Sequence, residues 1–227
     1  MKKLNFLIHK KPAMEPITRN VYLALDLETA GLAAPVFMDG KWVNGADVYS
    51  MLQVAGILLD SDLNEIARFD IPLKQEGLVD GETIKFHRKT GFMDAWSSAE
   101  KFFAHDAETV IVNLLEETLG YKNLQPYTYD SPVKILLLGK SIWFDRAFLT
   151  RRMPALISKL SHQMVDTSCF KPKLYEMGIK KLSKTPSTHF AMDDCEAAIA
   201  DYKVLSKLIN NGIDSHGASD CLEDRIK

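Results

Sequence analysis

Asp26 and Glu28 stand two residues apart in Leu25-Asp26-Leu27-Glu28, at the end of the apolar run Val21-Tyr22-Leu23-Ala24-Leu25. A run of this kind reads as a buried strand, and side chains two apart on a strand share one face, so both carboxylates can hold one cation. A second cluster, Gly139-Lys140-Ser141-Ile142-Trp143-Phe144-Asp145, follows the apolar segment Ile135 to Leu138 and delivers another carboxylate from a helix start. The third is His189-Phe190-Ala191-Met192-Asp193-Asp194, a loop histidine followed by the first turn of a helix that carries a fourth acid, Asp194. Four carboxylates and one imidazole, Asp26, Glu28, Asp145, Asp194 and His189, are an acid cluster plus a titratable base. That is the layout of a metal-dependent nuclease site.

Each cluster also has an ordinary reading. An acid pair at a strand end is commonly just solvated, Asp145 could cap a helix, His189 could be a surface loop residue, and Asp194 could complement a helix dipole. These readings would have to coincide at all three clusters in one topological order, which favours the catalytic one.

The elements that must position these residues follow from periodicity and punctuation. Strands are predicted at 21–28, 52–59, 65–73, 134–138 and 163–165, with a hairpin at Asp60-Ser61-Asp62-Leu63-Asn64. Helices are predicted at 106–119, 144–153, 168–177 and 193–209. The first would be capped by Asp106 and ended by Gly120, and the last would stop at Asn210-Asn211-Gly212. Residues 33–49, with Pro35, Gly40 and Gly45, interrupt this order as a flexible loop or a small hairpin beside the site. The domain organisation expected is an arm at 1–19, one α/β domain at 20–212 and a polar tail at 213–227.

The chain has 227 residues, 46% of them hydrophobic, which is enough for one substantial core. A net charge of −2 provides no global basic field to draw in long nucleic acid or a membrane, so short or single-stranded ends are the expected substrates. Cys169, Cys195 and Cys221 lack metal-ligand spacing and read as reduced thiols of a cytoplasmic protein. The apolar stretch near Met1 is broken by His9-Lys10-Lys11-Pro12, so no secretory or membrane-spanning segment is expected.

With strands and helices in the order βββαβαβα and acids at these points, the chain resembles the DEDDh-type 3′-to-5′ exonucleases, and within them the oligoribonucleases. The matching segments are Asp26-Leu27-Glu28-Thr29-Ala30-Gly31-Leu32, His87-Arg88-Lys89-Thr90-Gly91-Phe92, Gly139 to Leu149, Met153-Pro154, Val165-Asp166-Thr167-Ser168 and His189 to Asp194. They cover residues 21–209. The histidine five before the final acid is the mark of the histidine branch, since the tyrosine branch would carry its tyrosine where Phe190 stands. The resemblance implies a ribonuclease-H-like fold, a central mixed five-stranded sheet flanked by helices. It also implies two divalent cations, Mg²⁺ or Mn²⁺, on Asp26, Glu28, Asp145 and Asp194, with His189 taking a proton from the attacking water. Substrate contacts implied are Thr29, Gly31, Leu32, Ser141 and Ser168, with Leu32 wedging terminal bases and the two serines near a 5′ phosphate. The partner implied is short single-stranded nucleic acid, RNA before DNA, and the assembly a homodimer.

There are departures from that pattern. Where oligoribonucleases carry a tyrosine and an arginine before Val165-Asp166, this chain has His162 and Gln163, and glutamine cannot supply a guanidinium's charge. Gln53 stands where an acid is usual. A lysine run, Lys171, Lys173, Lys180, Lys181 and Lys184, reads as a solvated face or as a rim that guides a longer strand. The alternatives left open are a DNA-directed or general single-strand exonuclease of the proofreading or phage type, and a catalytically silent binding domain of the same fold.

Overall fold

The computed structural model describes residues 4–10, 20–186 and 188–214. Its elements in chain order are β1 (Leu7–Lys10), β2 (Asn20–Thr29), β3 (Pro35–Met38), β4 (Lys41–Asn44), α1 (Gly45–Val48), β5 (Met51–Leu59), β6 (Glu65–Pro72), α2 (Gly81–Thr90), α3 (Phe92–Ser98) and α4 (Ala104–Leu119). Then follow β7 (Lys134–Gly139), α5 (Ile142–Arg152), α6 (Pro154–Lys159), β8 (Leu160–Asp166), a 3-10 turn (Thr167–Phe170), α7 (Lys171–Glu176) and α8 (Ala191–Asp214).

The main sheet has the order β1-β6-β5-β2-β7-β8. The central strand β2 runs antiparallel to β5, with Asp26 opposite Ala55 and Glu28 opposite Gln53, and parallel to β7 as far as Ala24 opposite Leu138. Alternation along β2 divides the molecule into layers. Val21, Leu23, Leu25 and Leu27 join the larger core with Ile111, Leu114 and Leu115 of α4, Phe148 and Leu149 of α5 and Leu156 of α6. Ala24 faces the other way, where Ala55, Ile57 and Leu138 meet Ala191, Cys195 and Ile199 of α8. The small side chains on both surfaces let this helix lie close to the sheet. Asp26 and Glu28 continue the Ala24 face and so emerge beside the first turn of α8.

The sheet is mixed and flanked by helices on both faces, as expected, but among the described residues it has six strands where five were expected. The sixth, β1, comes from the predicted arm and pairs antiparallel with β6, Leu7 opposite Asp70. Its four residues are all exposed, so no alternating burial marks it in the sequence. It covers an edge of β6 that would otherwise present unpaired backbone groups.

Residues 33–49 form a hairpin, β3 with β4, followed by α1. Asp39 and Gly40 at its tip both take positive φ, 49° and 77°, the conformation a tight two-residue hairpin turn demands. Asp106 does not cap α4: Phe103 occupies that position and Asp106 lies in the first turn, while Gly120 ends the helix at φ 78° as expected. The helix placed at 168–177 is a 3-10 turn continuing into α7, and α6 is an additional helix entered through Pro154. The strand placed at 163–165 begins at Leu160, and α8 passes through Asn210-Asn211-Gly212 to Asp214. Residues 215–227, with Cys221, lie outside the described residues; of the other two cysteines, Cys169 is exposed and Cys195 buried, and both are free. Among the described residues no helix is long and apolar enough to cross a membrane.

Candidate active site

The parallel pairing of β2 with β7 ends at Ala24 and Leu138, so the N–H of Leu27 has no ladder partner on that side. Asp145, in the first turn of α5, takes its place: its Oδ1 accepts from Leu27 N at 2.9 Å. This carboxylate, 3% exposed, is thereby fixed between Asp26 and Glu28 along the strand. Asp194 arrives from the opposite face on α8. Carboxylate oxygens of Asp26, Glu28 and Asp194 lie within 4.8 Å of one another. A recess of about 170 Å³ is lined by Asp26, Leu27, Glu28, Lys140, Ser141, Phe144, Asp145, His189 and Asp194.

Crowding acids away from water disfavours their charged forms. Burial, then Asp145, Glu28 and Asp194, push the Asp26 carboxyl well above the usual range, against a smaller opposing effect of Lys140. Burial, then Asp194 and Asp145, push Glu28 up to about 8. Burial raises Asp145 as well, partly opposed by the Leu27 amide. An all-oxygen set of mutually repelling carboxylates fits hard divalent cations, whose charge would reverse these shifts.

His189 is exposed on the recess rim in a left-handed backbone conformation, φ 57°. The turn is clasped to α8: Thr188 N donates to Asp194 Oδ1 at 3.2 Å and the Thr188 hydroxyl donates to Asp193. The His189 ring meets Phe86 of α2 edge-to-face, centroids 4.6 Å apart. Beneath, Gln53 is fully buried. Its Oε1 accepts from Ala191 N at 3.2 Å and its Nε2 donates to Asp70 Oδ1 at 2.6 Å, so it ties the start of α8 to β5 and β6.

Two further residues contribute to the site. His87, buried on α2, donates from Nε2 to the Thr29 carbonyl at 2.8 Å. Its Nδ1 therefore carries no hydrogen in the neutral ring and faces Glu28 Oε2 at 3.6 Å. Burial lowers the pKa of His87, and proximity to His189 adds to this. Its place in the motif His87 to Phe92 was the available signal. The other is Lys140, one residue before Ser141, which lines the recess and pairs with Asp201 at 3.1 Å.

The residues expected at the substrate are distributed unevenly. Leu32, just past the end of β2, is 63% exposed, as a residue that meets a substrate must be. Thr29 is buried, and its hydroxyl donates to Gly31 O at 2.8 Å. Gly31 packs so closely on Tyr49 that an added Cβ would fall 2.3 Å from the ring. Ser141 and Ser168 are brought together, Oγ to Oγ 3.4 Å, and both lean on Asp166, whose Oδ1 accepts from Ser141 N, Ser168 N and Ser168 Oγ. Of the aromatic residues beside Asp145, Phe148 is core, Phe144 lines the recess, and Trp143 is 58% exposed with its ring edge-to-face on Phe144.

A mixed sheet with helices on both faces and an acid-lined recess at the end of its central strand defines a ribonuclease-H-like protein. The family model described as Exonuclease (RNase_T) matches residues 23–202, and the chain belongs to this exonuclease family. The oligoribonuclease of Francisella tularensis subsp. tularensis is 30% identical over 168 residues, 71% of this chain and 88% of the relative. The oligoribonuclease of Pseudomonas syringae pv. tomato is 26% identical over 192 residues, 79% and 90%. Among solved structures, E. coli exonuclease I in complex with a 5cy-dA13 oligonucleotide aligns with a TM-score of 0.54 at 17% identity, over 87% of this chain and 43% of that one. S. pombe Pop2p in its Mg²⁺- and Mn²⁺-bound form aligns at 0.52 and 12%, over 87% and 86%. These last two likenesses show the fold, and the chain spans less than half the length of exonuclease I. Family and curated relatives together make the chain a 3′-to-5′ exonuclease of the DEDDh type.

Proposed function

We propose that this exonuclease removes nucleotides from the 3′ end of short single-stranded RNA and releases nucleoside 5′-monophosphates, as a cytoplasmic homodimer. The observation that carries the reading is the single recess lined by Asp26, Glu28, Asp145, Asp194 and His189, residues drawn from three distant segments. The oligoribonuclease names of the curated relatives favour RNA.

In this reading Asp26, Glu28, Asp145 and Asp194 would hold two divalent cations, and Mg²⁺ and Mn²⁺ suit the donor set. Such ions, when bound, lower the pKa of a water and offset charge on the leaving 3′ oxygen. The Leu27 hydrogen bond keeps one Asp145 oxygen engaged and leaves the other for the site. His189, exposed at the rim, takes the proton from the attacking water. Leu32 projects to meet the terminal bases, and the Ser141 and Ser168 hydroxyls face the phosphate next in line.

Matched RNA and DNA strands of about ten nucleotides, digested with Mn²⁺ and analysed by chromatography, test the substrate. Faster RNA digestion yielding 5′-monophosphates supports the proposal. Faster DNA digestion would transfer the assignment to a DNA-directed exonuclease.

A further inference from the structure

A second recess, of about 300 Å³, opens between α7, the segment 179–186 and α8, and it shares Lys140 with the acidic one. Lys140, Lys171, Lys180 and Lys181 line it, and the one acid among its lining residues is Asp201. That acid is already engaged: Lys140 Nζ lies 3.1 Å from one of its oxygens and Ser183 Oγ donates to the other at 2.6 Å. Asp201 is buried, so this network orients Lys140 and pins the 179–186 segment to α8. Lys171, Lys180 and Lys181 form no ion pair among the described residues. Three uncompensated ammonium groups in a chain of net charge −2 are a local basic concentration that the overall composition conceals. The remaining wall mixes the apolar Leu174, Ile179 and Leu182 with the hydroxyls of Thr167, Ser183 and Thr185, and Tyr175 presents an exposed ring.

We infer that this recess binds a nucleotide of the substrate strand upstream of the 3′-terminal pair, its phosphate on the lysines and its base against Tyr175. The inference rests on the function proposed above. A phosphate matches the ammonium cluster, a flat base matches an exposed aromatic ring, and about 300 Å³ is the lower end of the size of small-ligand clefts. The path is continuous: Lys140 borders both recesses, and its neighbour Ser141 belongs to the pair with Ser168. A strand running past the serines therefore meets the lysines next. The consequence is an enzyme that works on strands of at least three nucleotides in preference to dinucleotides.

The test is a length series of RNA with two, three, four and seven nucleotides, given to wild type and to a K171A/K180A/K181A triple variant. Cleavage is followed with Mn²⁺, and binding of 5′-fluorescein strands is followed by anisotropy in chelator. Wild type should gain roughly five- to tenfold in kcat/KM and in affinity between two and four nucleotides, with added salt eroding the gain. The variant should lose that gain through KM and keep its dinucleotide rate and its melting temperature. A Y175A variant should lose a smaller part of it. Equal losses at every length, no loss, or a wild type fastest on the dinucleotide overturns the subsite while leaving the exonuclease reading intact. A wild type that neither binds nor cleaves any strand overturns both.

Discussion

The main-chain N–H of Leu27 donates to Asp145 Oδ1 at 2.9 Å, so the carboxylate on α5 is fastened to the strand that carries Asp26 and Glu28. The two residues are 118 positions apart, and one hydrogen bond sets the spacing of a third acid from the first two. Asp145→Asn keeps an acceptor for Leu27 and removes the charge. It should retain or raise the melting temperature and lower kcat by ~100-fold or more, the scale expected for losing an inner ligand rather than an outer partner. Asp145→Ala should lose the same activity and also ~1–3 kcal/mol of stability, because a buried N–H is left without a partner. Equal stability of the two variants in chemical denaturation would remove this structural role.

The raised carboxylates set the pH dependence of the metal-free protein. Glu28 moves from 4.5 in the unfolded chain to about 8 in the fold, and Asp26 and Asp145 move in the same direction. Between those values the native state holds more protons than the unfolded one, so stability is greatest below about pH 4.5 for this contribution and falls as pH rises through about 8. Chelator-treated protein should lose several degrees of melting temperature between about pH 5 and 8, and millimolar Mn²⁺ or Mg²⁺ should restore them most at the alkaline end. A melting temperature that rises with pH in chelator would contradict the crowding of these acids.

His189 reaches the recess from an exposed left-handed turn, free of the core packing that fixes His87. His189→Ala should reduce kcat by ~100- to 10,000-fold, the range of general-base contributions. Affinity for a single strand, measured in chelator, should remain within about twofold. Wild-type turnover by this variant would take His189 out of the chemistry.

Gln53→Leu removes the acceptor for Ala191 N at the start of α8. The loss should be ~1–3 kcal/mol, read as a fall of roughly 2–4 °C per kcal/mol in melting temperature. Because the same helix turn carries Asp194, kcat should fall with little change in KM. A variant with unchanged stability would show that Gln53 does not hold the helix.

The parts of this architecture written in short-range pattern are the ones legible from sequence. The continuous apolar run 21–25 shows β2, buried on both faces, and Asp26 and Glu28 share a face because strand side chains alternate. Gly120 ends α4 because a left-handed residue is needed there. What escapes is set by distant neighbours. The strand β1 has no buried side to announce it. Asp106 has a capper's chemistry, yet the chain enters α4 three residues earlier. The bridging roles of Gln53 and His87 depend on partners 138 and 58 residues away, which no local periodicity encodes. The lysine recess is visible as a run of like charge, but its lone acid, Asp201, and its junction at Lys140 come from other elements.

The most direct measurement is digestion of a 5′-labelled RNA of about twenty nucleotides by wild type and Asp26→Ala, with Mn²⁺ and with chelator. A ladder shortening from the 3′ end, present with wild type and metal and abolished by either the substitution or the chelator, is the expected result. Shortening that survives Asp26→Ala, or that proceeds in chelator, would contradict a catalytic site built on the acids of β2.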